Sequence, residues 1–395
     1  MNIQEPLQLL GGLSPQVFMQ RHWEKKPLLI RQAIPGFQPI LDRTELLDMA
    51  AMDDVESRLV VQAGPGGEEA LEVPPCPLPP QTPPGGQKAG KFRHGPFPRK
   101  SLPPFKQRAW TVLVQGMDLH DERVHTLMNQ FRFVPDARLD DLMISYATDG
   151  GGVGPHFDSY DVFLLQAHGR RRWRIGRQKD MSLLPDMPLK ILTNFEPEME
   201  FVLEPGDMLY LPPRWAHDGI AEGECMTYSI GFRSPNMGEV AREVLQRMAE
   251  QADDEAGDAI YRDPRQAAVA QSAEIPEAMV DFARDAMAAA LRDPQALQRA
   301  MGEYLTEPKA NVWFAGDDTE AVGDVRLDRR TRMLYDGKHI FINGESFRAG
   351  GRDAQLMRRL ANERSLKAGD MVRLSDAARE LVSDWCQAGW LHADQ

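Results

Sequence analysis

Between residues 110 and 233 the chain breaks into short apolar runs separated by Gly and Pro turns, and this punctuation constrains the fold more than any other feature. Trp110-Thr111-Val112-Leu113-Val114-Gln115 and Leu142-Met143-Ile144-Ser145-Tyr146 have the composition of strands. Asp161–Gln166 is another, followed by an expected turn at Gly169 and a return run over Arg172–Ile175. Phe201-Val202-Leu203 leads through Glu204-Pro205-Gly206-Asp207 into Met208–Leu211, and Met226–Phe232 closes the set. Many short strands joined by such turns predict a sandwich or barrel.

The flanks read differently. Ser14-Pro15 is a cap followed by a favoured first helical residue, which predicts a short helix with Phe18, His22 and Trp23 on one side. Pro27 ends it, and Leu28-Leu29-Ile30 continues as a strand-like run. Residues 64–104 hold 12 prolines and 7 glycines. Such a stretch cannot supply the donors of an interior strand, so it is expected to be a mobile or extended surface insertion. From about 237 to 305 the pattern turns helical. Met279, Phe282, Ala283, Ala286, Met287 and Ala290 share one helical face, expected to be core or an oligomer interface. In the last stretch, Met333-Leu334-Tyr335 and His339–Ile342 flank Asp336-Gly337-Lys338, a hairpin signal within a small α+β module of winged-helix type.

The 395 residues suggest two or three domains. Three cysteines, Cys76, Cys225 and Cys386, fit neither a zinc pattern nor a disulfide framework, which favours a reducing cytoplasm. The first thirty residues lack a basic start followed by an apolar core, so no signal peptide is expected. No apolar run approaches the ~18 residues of a membrane span. The net charge of −13 speaks against broad nucleic-acid binding and suits a basic partner.

The chemistry concentrates in Gly150-Gly151-Gly152-Val153-Gly154-Pro155-His156-Phe157-Asp158. Two residues apart on a strand, His156 and Asp158 would point to one face and could share an ion. Imidazole and carboxylate together suit a divalent metal such as iron. A third ligand should come from a distant strand of the same barrel. His217, 59 residues after Asp158 and just beyond Pro212-Pro213, is the best candidate. Two histidines and one carboxylate leave three octahedral positions open for a chelating cosubstrate and oxygen. His22, His94, His120, His125, His339 and His392 have no such context, and His168 is expected at an exposed turn. In Gly169-Arg170-Arg171-Arg172-Trp173-Arg174, alternation sends Arg171 and Trp173 to one face and Arg170 and Arg172 to the other. An inward arginine is costly unless it meets an anion, for which a guanidinium offers a two-pronged fork. The competing reading is a solvated basic hairpin.

WEKKPLLI at 23–30, DDLMISYATDGGGVGPHFDSYDVFLLQAHGRRRWRIG at 140–176 and LEPGDMLYLPPRWAHDGIAEGECMTYSIGFRSPN at 203–236 resemble the Jumonji-C family of Fe(II)- and 2-oxoglutarate-dependent oxygenases. More narrowly, they resemble the bacterial ribosomal oxygenases, protein-arginine hydroxylases of the large ribosomal subunit. The resemblance implies an α+β chain: a double-stranded β-helix (jelly-roll, cupin-like) oxygenase domain over 1–235 that contains the 64–104 insertion, a helical dimerisation region over 236–310, and a winged-helix-like domain over 311–395. It implies iron ligation by His156, Asp158 and His217. It also implies contacts to 2-oxoglutarate from Ser145, Arg171 and Thr227. The implied reaction uses oxygen to hydroxylate the β-carbon of an arginine in a 50S protein, the sixteenth of the large subunit, in a cytoplasmic homodimer. Asp149 could face the substrate guanidinium, or be an ordinary turn residue before glycine.

Three other classes compete. A non-enzymatic cupin-like metal-binding protein would keep the barrel without needing an open triad and a carboxylate-binding arginine. A transcription regulator would use the C-terminal module, whose Arg326, Arg329, Arg330 and Arg332 are interspersed with acidic residues. A Jumonji-C demethylase acting on another protein shares the chemistry.

Overall fold

The computed structural model describes residues 1–62, 91–185, 189–252, 256–316 and 323–393, which form two units, Met1–Ser234 and Pro235–Gln395. The first opens on helix α1 (Pro15–Arg21), where Ser14 Oγ accepts from the Val17 N–H at 3.3 Å and Pro15 takes a position that needs no donor. Strand β1 (Leu28–Ile30), helix α2 (Arg43–Met49), β2 (Ser57–Val61), β3 (Lys91–His94) and β4 (Trp110–Val114) come next. Two short helices, α3 (Met117–His120) and α4 (Glu122–Asn129), precede β5 (Leu139–Ala147), β6 (Val162–Gly176), β7 (Met199–Leu203), β8 (Met208–Leu211) and β9 (Ala216–Phe232). These nine strands form one antiparallel sheet in the order β1-β8-β6-β9-β5-β4-β2-β3, with β7 also on β6.

The spine is the pairing of β6 with β9, from Val162↔Gly231 to Gly176↔Ala216. Gly169 makes no turn, contrary to the sequence expectation. It sits at φ 61° inside a continuous 15-residue strand, and the register slips on both sides of His168. A bulge here is cheaper than a break, because the strand keeps its ladder and only re-aims its side chains. A Cβ at Gly169 would fall 2.0 Å from the Glu224 carbonyl, so the bulge requires glycine. The first half of β6 reads as unbroken apolar sequence because both faces are covered. Phe163, Leu165 and Ala167 enter one core with Phe18, Tyr210 and Phe232, while Val162 and Leu164 join Trp173, Ile175, Leu209 and Leu211 in another.

The proline-rich stretch divides. Residues 63–90 lie outside those described. Over Lys91–His94 the chain keeps to the surface in extended form: β3 pairs with β2 as an edge strand, the one place in a sheet that tolerates neighbouring prolines, and Phe97 alone of its near neighbours is fully buried.

WEKKP is the latch between the N-terminal lead and the sheet. Trp23 stacks on Tyr210 at 6.0 Å, under the Arg138 guanidinium at 5.4 Å. Asp161, wholly buried, accepts from the Tyr210 hydroxyl at 2.5 Å, the Glu24 N–H at 3.3 Å and Arg138 Nη2 at 3.3 Å. Burial pushes the Asp161 carboxyl up, against the opposing pull of its hydrogen bond from Tyr210.

The second unit carries helices α5 (Met237–Glu250), α6 (Glu277–Ala290) and α7 (Ala296–Thr306), then strands β10 (Val325–Leu327), β11 (Met333–Tyr335), β12 (His339–Ile342) and β13 (Glu345–Arg348). Helix α8 (Gly351–Glu363), β14 (Ser365–Leu366), α9 (Ala368–Met371), α10 (Asp376–Gln387) and β15 (Leu391–Ala393) complete it. The hairpin read at Asp336-Gly337 is present, with Tyr335 opposite Ile340. Leu356, Leu360, Val382 and Trp385 pack with Ile340 and Ile342 into a separate core. No residue of α6 is buried; Met279 and Met287 are exposed, and among the described residues the one aromatic ring Phe282 meets is that of Tyr261.

Replacing Asp161 by Ala should therefore cost about 3 kcal/mol of stability, because the buried Tyr210 hydroxyl loses the acceptor for its proton and Arg138 its buried carboxylate. The Glu24 N–H keeps the Tyr210 oxygen at 2.8 Å, and Arg138 keeps Glu24 and the Arg233 carbonyl. Tyr210→Phe should cost about 1 kcal/mol. Urea unfolding followed by tryptophan fluorescence would show both; equal, small effects would remove Asp161 from its place as the latch.

Candidate metal centre

His156 does not lie on a strand, as its spacing from Asp158 suggested, but on an isolated bridge to β9. Its N–H donates to the His217 carbonyl at 3.0 Å, and the His217 N–H donates back at 2.8 Å. This reciprocal pair sets the imidazoles side by side, with ring centroids 4.3 Å apart. The loop that delivers His156 runs through the glycines. A Cβ at Gly151 would meet the Trp110 carbonyl at 2.5 Å, and one at Gly152 would meet the Gly219 carbonyl at the same distance. The glycines thus let one backbone lie directly on another. Asp158 is tied from the other side, its carbonyl accepting from the Arg214 N–H at 2.8 Å. Arg214 itself adopts φ 66° in the turn after the double proline.

Both rings present the same edge. His156 Nδ1 lies 2.8 Å from the Gly154 carbonyl and His217 Nδ1 3.0 Å from the Trp215 carbonyl. A carbonyl only accepts, so each Nδ1 carries the proton and each Nε2 keeps its lone pair for a ligand. His217 Nε2 is 3.7 Å from Asp158 Oδ2, and the ligand atoms of all three residues lie within 4.8 Å of one another. Burial holds the His217 imidazole down at about 4, with His156 adding to the effect, so it is neutral at physiological pH. Among the described residues this is the one such cluster. Two imidazoles and a carboxylate, with hydrogen bonds that fix the rings beforehand, fit iron(II).

Arg171, Ser145 and Thr227 meet nearby in the barrel. Arg171 is 4% exposed, and its Nη1 donates to Ser145 Oγ and to Thr227 Oγ1, each at 3.2 Å. Its Nε–H is buried without a partner, and no carboxylate reaches the guanidinium among the described residues. A buried cation in that condition is costly, and a carboxylate on the Nε–Nη2 edge would remove the cost. The Arg171 fork therefore fits an anionic cosubstrate. Arg170 is exposed and Arg172 bonds Glu200 and Glu222, so the alternation read from sequence holds through the bulge. His168 is exposed. Trp173 joins the two halves of the site, 5.8 Å from His217 and 5.4 Å from the Arg171 guanidinium.

Asp149 stands at the rim. Its carboxylate accepts from the Gly223 N–H at 2.9 Å and pairs with Arg108 at 2.7 Å. Gln166, which sequence reasoning passed over, is wholly buried against Thr227. Its signal was present: one amide in the otherwise apolar run Val162-Phe163-Leu164-Leu165-Gln166-Ala167.

Known proteins share this architecture. Residues 126–240 match the family model described as "JmjC domain", and residues 289–392 the one described as "ROXA-like winged helix". The chain is 32% identical over 355 residues to the ribosomal protein uL16 3-hydroxylase of Escherichia coli K12, covering 85% of this chain and 86% of that protein. An X-ray structure of E. coli ycfD aligns with a TM-score of 0.77 at 28% identity, over 95% of this chain and 97% of that one. A structure of YcfD, described as a ribosomal oxygenase in complex with cobalt and 2-oxoglutarate, aligns at 0.73 and 29% identity, over 96% of this chain and 98% of that one. The cupin-like antiparallel core and the winged helix expected from sequence are both shown by these matches.

Gly219 pairs with Trp173 across β9 and β6, and a Cβ on it would lie 2.6 Å from the indole. Gly219→Ala must displace Trp173, and with it the packing of both His217 and Arg171. Cobalt(II) affinity, read by absorption titration, should fall at least tenfold, whereas Gly337→Ala, where a Cβ meets open space and the backbone is not left-handed, should leave it within twofold.

Proposed function

The chain belongs to the JmjC ribosomal oxygenases, and from that premise we propose that it hydroxylates an arginine of a large-subunit ribosomal protein, uL16, using iron(II), 2-oxoglutarate and oxygen. The observation that carries this reading is the buried Arg171 guanidinium with an open edge, in the same barrel as the His156–Asp158–His217 cluster. A binding protein that only held a metal would have no use for an unpaired buried cation.

His156, Asp158 and His217 would hold the iron, which when bound supplies the oxygen-activating chemistry, with 2-oxoglutarate as the co-reductant. The chain's own part is position. The main-chain carbonyls of Gly154 and Trp215 hold the two Nδ1–H groups, so both imidazoles are aimed with Nε2 toward the metal position. Arg171, Ser145 and Thr227 would receive the carboxylate of 2-oxoglutarate remote from the metal. Asp149 would receive the substrate. Its carboxylate already grips one guanidinium, that of Arg108, and a substrate arginine would take Arg108's place. The formal charge of −13 would speed the arrival of a basic ribosomal segment.

The β-carbon as the target, work in the cytoplasm where ribosomal subunits are assembled, and dimerisation through the 236–310 region belong to the same proposal. Support for the dimer is the unburied Met279 and Met287 face of α6, for which a two-fold partner is the commonest cover.

Tandem mass spectrometry of 50S proteins treated with the loaded enzyme should show a gain of one oxygen atom on a single uL16 arginine, absent with Asp158→Ala. A gain on another residue type, or methyl loss from lysine, would overturn the arginine assignment. Arg171→Ala should raise the KM for 2-oxoglutarate at least tenfold, since a charge-assisted pair is lost. Arg170→Ala should leave it within twofold. Replacing Phe282 and Met287 with Glu should give monomers in sedimentation; a dimer that persists would return the α6 stripe to its own chain.

A further inference from the structure

We propose that Gln166 is a positioning residue for cosubstrate binding, setting the orientation of the Arg171 fork from beneath. The inference rests on Arg171 being the 2-oxoglutarate-binding cation.

Gln166 lies on β6, five residues before Arg171, and is 0% exposed. Its amide spans the bulge between them. Nε2 donates to the His168 carbonyl at 2.8 Å and lies 3.4 Å from the Gly169 carbonyl, while Oε1 accepts from Thr227 Oγ1 at 3.1 Å. Only this orientation is consistent, because the flipped amide would set its oxygen against two carbonyl oxygens. Its main chain is fixed as well, the Gln166 N–H donating to the Asp207 carbonyl and the Gln166 carbonyl accepting from the Gly206 N–H, both at 2.9 Å.

The count of protons then fixes the direction of each bond. A threonine hydroxyl has one proton, and Thr227 gives it to Gln166, so the lone pairs of Thr227 Oγ1 face Arg171 Nη1. Ser145 likewise gives its proton to the Thr227 carbonyl at 3.3 Å, leaving its lone pairs for the same Nη1. Both Nη1 protons are thereby committed, and the Nε–Nη2 edge alone is presented to a carboxylate. Without the amide, Thr227 is free to rotate and donate elsewhere, and the His168–Gly169 bulge that carries Arg171 loses its internal tie. The guanidinium then loses a fixed orientation, and a fork must be held in register to bind bidentately.

The test is calorimetric titration of 2-oxoglutarate into manganese(II)-loaded protein, in which binding is read without turnover. Gln166→Met keeps the length and loses the amide; it should raise the Kd for 2-oxoglutarate about tenfold and leave manganese(II) affinity within twofold. In steady state, its KM for 2-oxoglutarate should rise while the KM for the substrate peptide holds. Gln166→Asn keeps a neutral amide but is one methylene too short to reach both the bulge and Thr227; it should weaken binding too, and decides the matter if the Met variant does not fold. Combined with Thr227→Val, the loss should be smaller than the product of the two single effects, since both act on one hydroxyl. Unchanged 2-oxoglutarate affinity in a folded Gln166 variant, or a purely multiplicative double variant, overturns the inference while Arg171 keeps its role. Absence of metal-dependent 2-oxoglutarate binding in the unsubstituted protein would instead overturn the reading of Arg171.

Discussion

The site depends on the β6–β9 ladder. One register, Ile175 opposite His217, Trp173 opposite Gly219 and Gln166 opposite Thr227, puts a candidate metal ligand, an indole and a polar network at fixed intervals on neighbouring backbones. Shifting a strand by one residue would turn every one of these side chains to the opposite face. The register is held by two covered faces: Phe163 and Leu165 on one side, Val162 and Leu164 on the other. Each such side chain contributes about 1.5–3 kcal/mol on burial, so a slip would forfeit several of these at once. The chemistry can rest on a handful of polar groups because the apolar ones leave them no alternative.

Short-range reading succeeded where the signal was local. Ser14-Pro15 starts a helix, Asp336-Gly337 turns a hairpin, and HxD after a glycine run finds two members of the cluster, because each is decided within a few residues. His217 was also legible, since Pro212-Pro213 ends β8 and forces the chain to return beside His156. Gly169 was misread because a glycine in a strand can be a turn or a bulge, and the choice falls to β9, whose Glu224 carbonyl closes on it. The geometry of His156 was misread for a similar reason. The two-residue spacing suggested a strand, whereas a two-bond bridge to a distant residue does the aligning.

Asp161, Gln166 and the Lys91–His94 edge strand illustrate what a linear reading cannot reach. A buried carboxylate is tolerable only if partners surround it, and Asp161 draws them from Glu24, Arg138 and Tyr210, up to 137 residues away. Gln166 announces itself as one polar letter among apolar ones, but its meaning lies in Thr227, 61 residues on. Proline content said nothing about Ser57–Val61, which pairs with Lys91–His94 as an outer strand.

The imidazole protons held by Gly154 and Trp215 have a consequence for the life of the protein in a cell. Tautomer and ring direction are settled by peptide carbonyls, so the ring edges a metal would need are aimed by the chain itself. Ordering is completed during folding, and little remains to be lost when an ion arrives. A chain whose ligand rings are aimed by its own backbone would need little rearrangement to take up iron after a period of scarcity. The rings need no ion to orient them, which separates this centre from sites whose chains collapse around their metal.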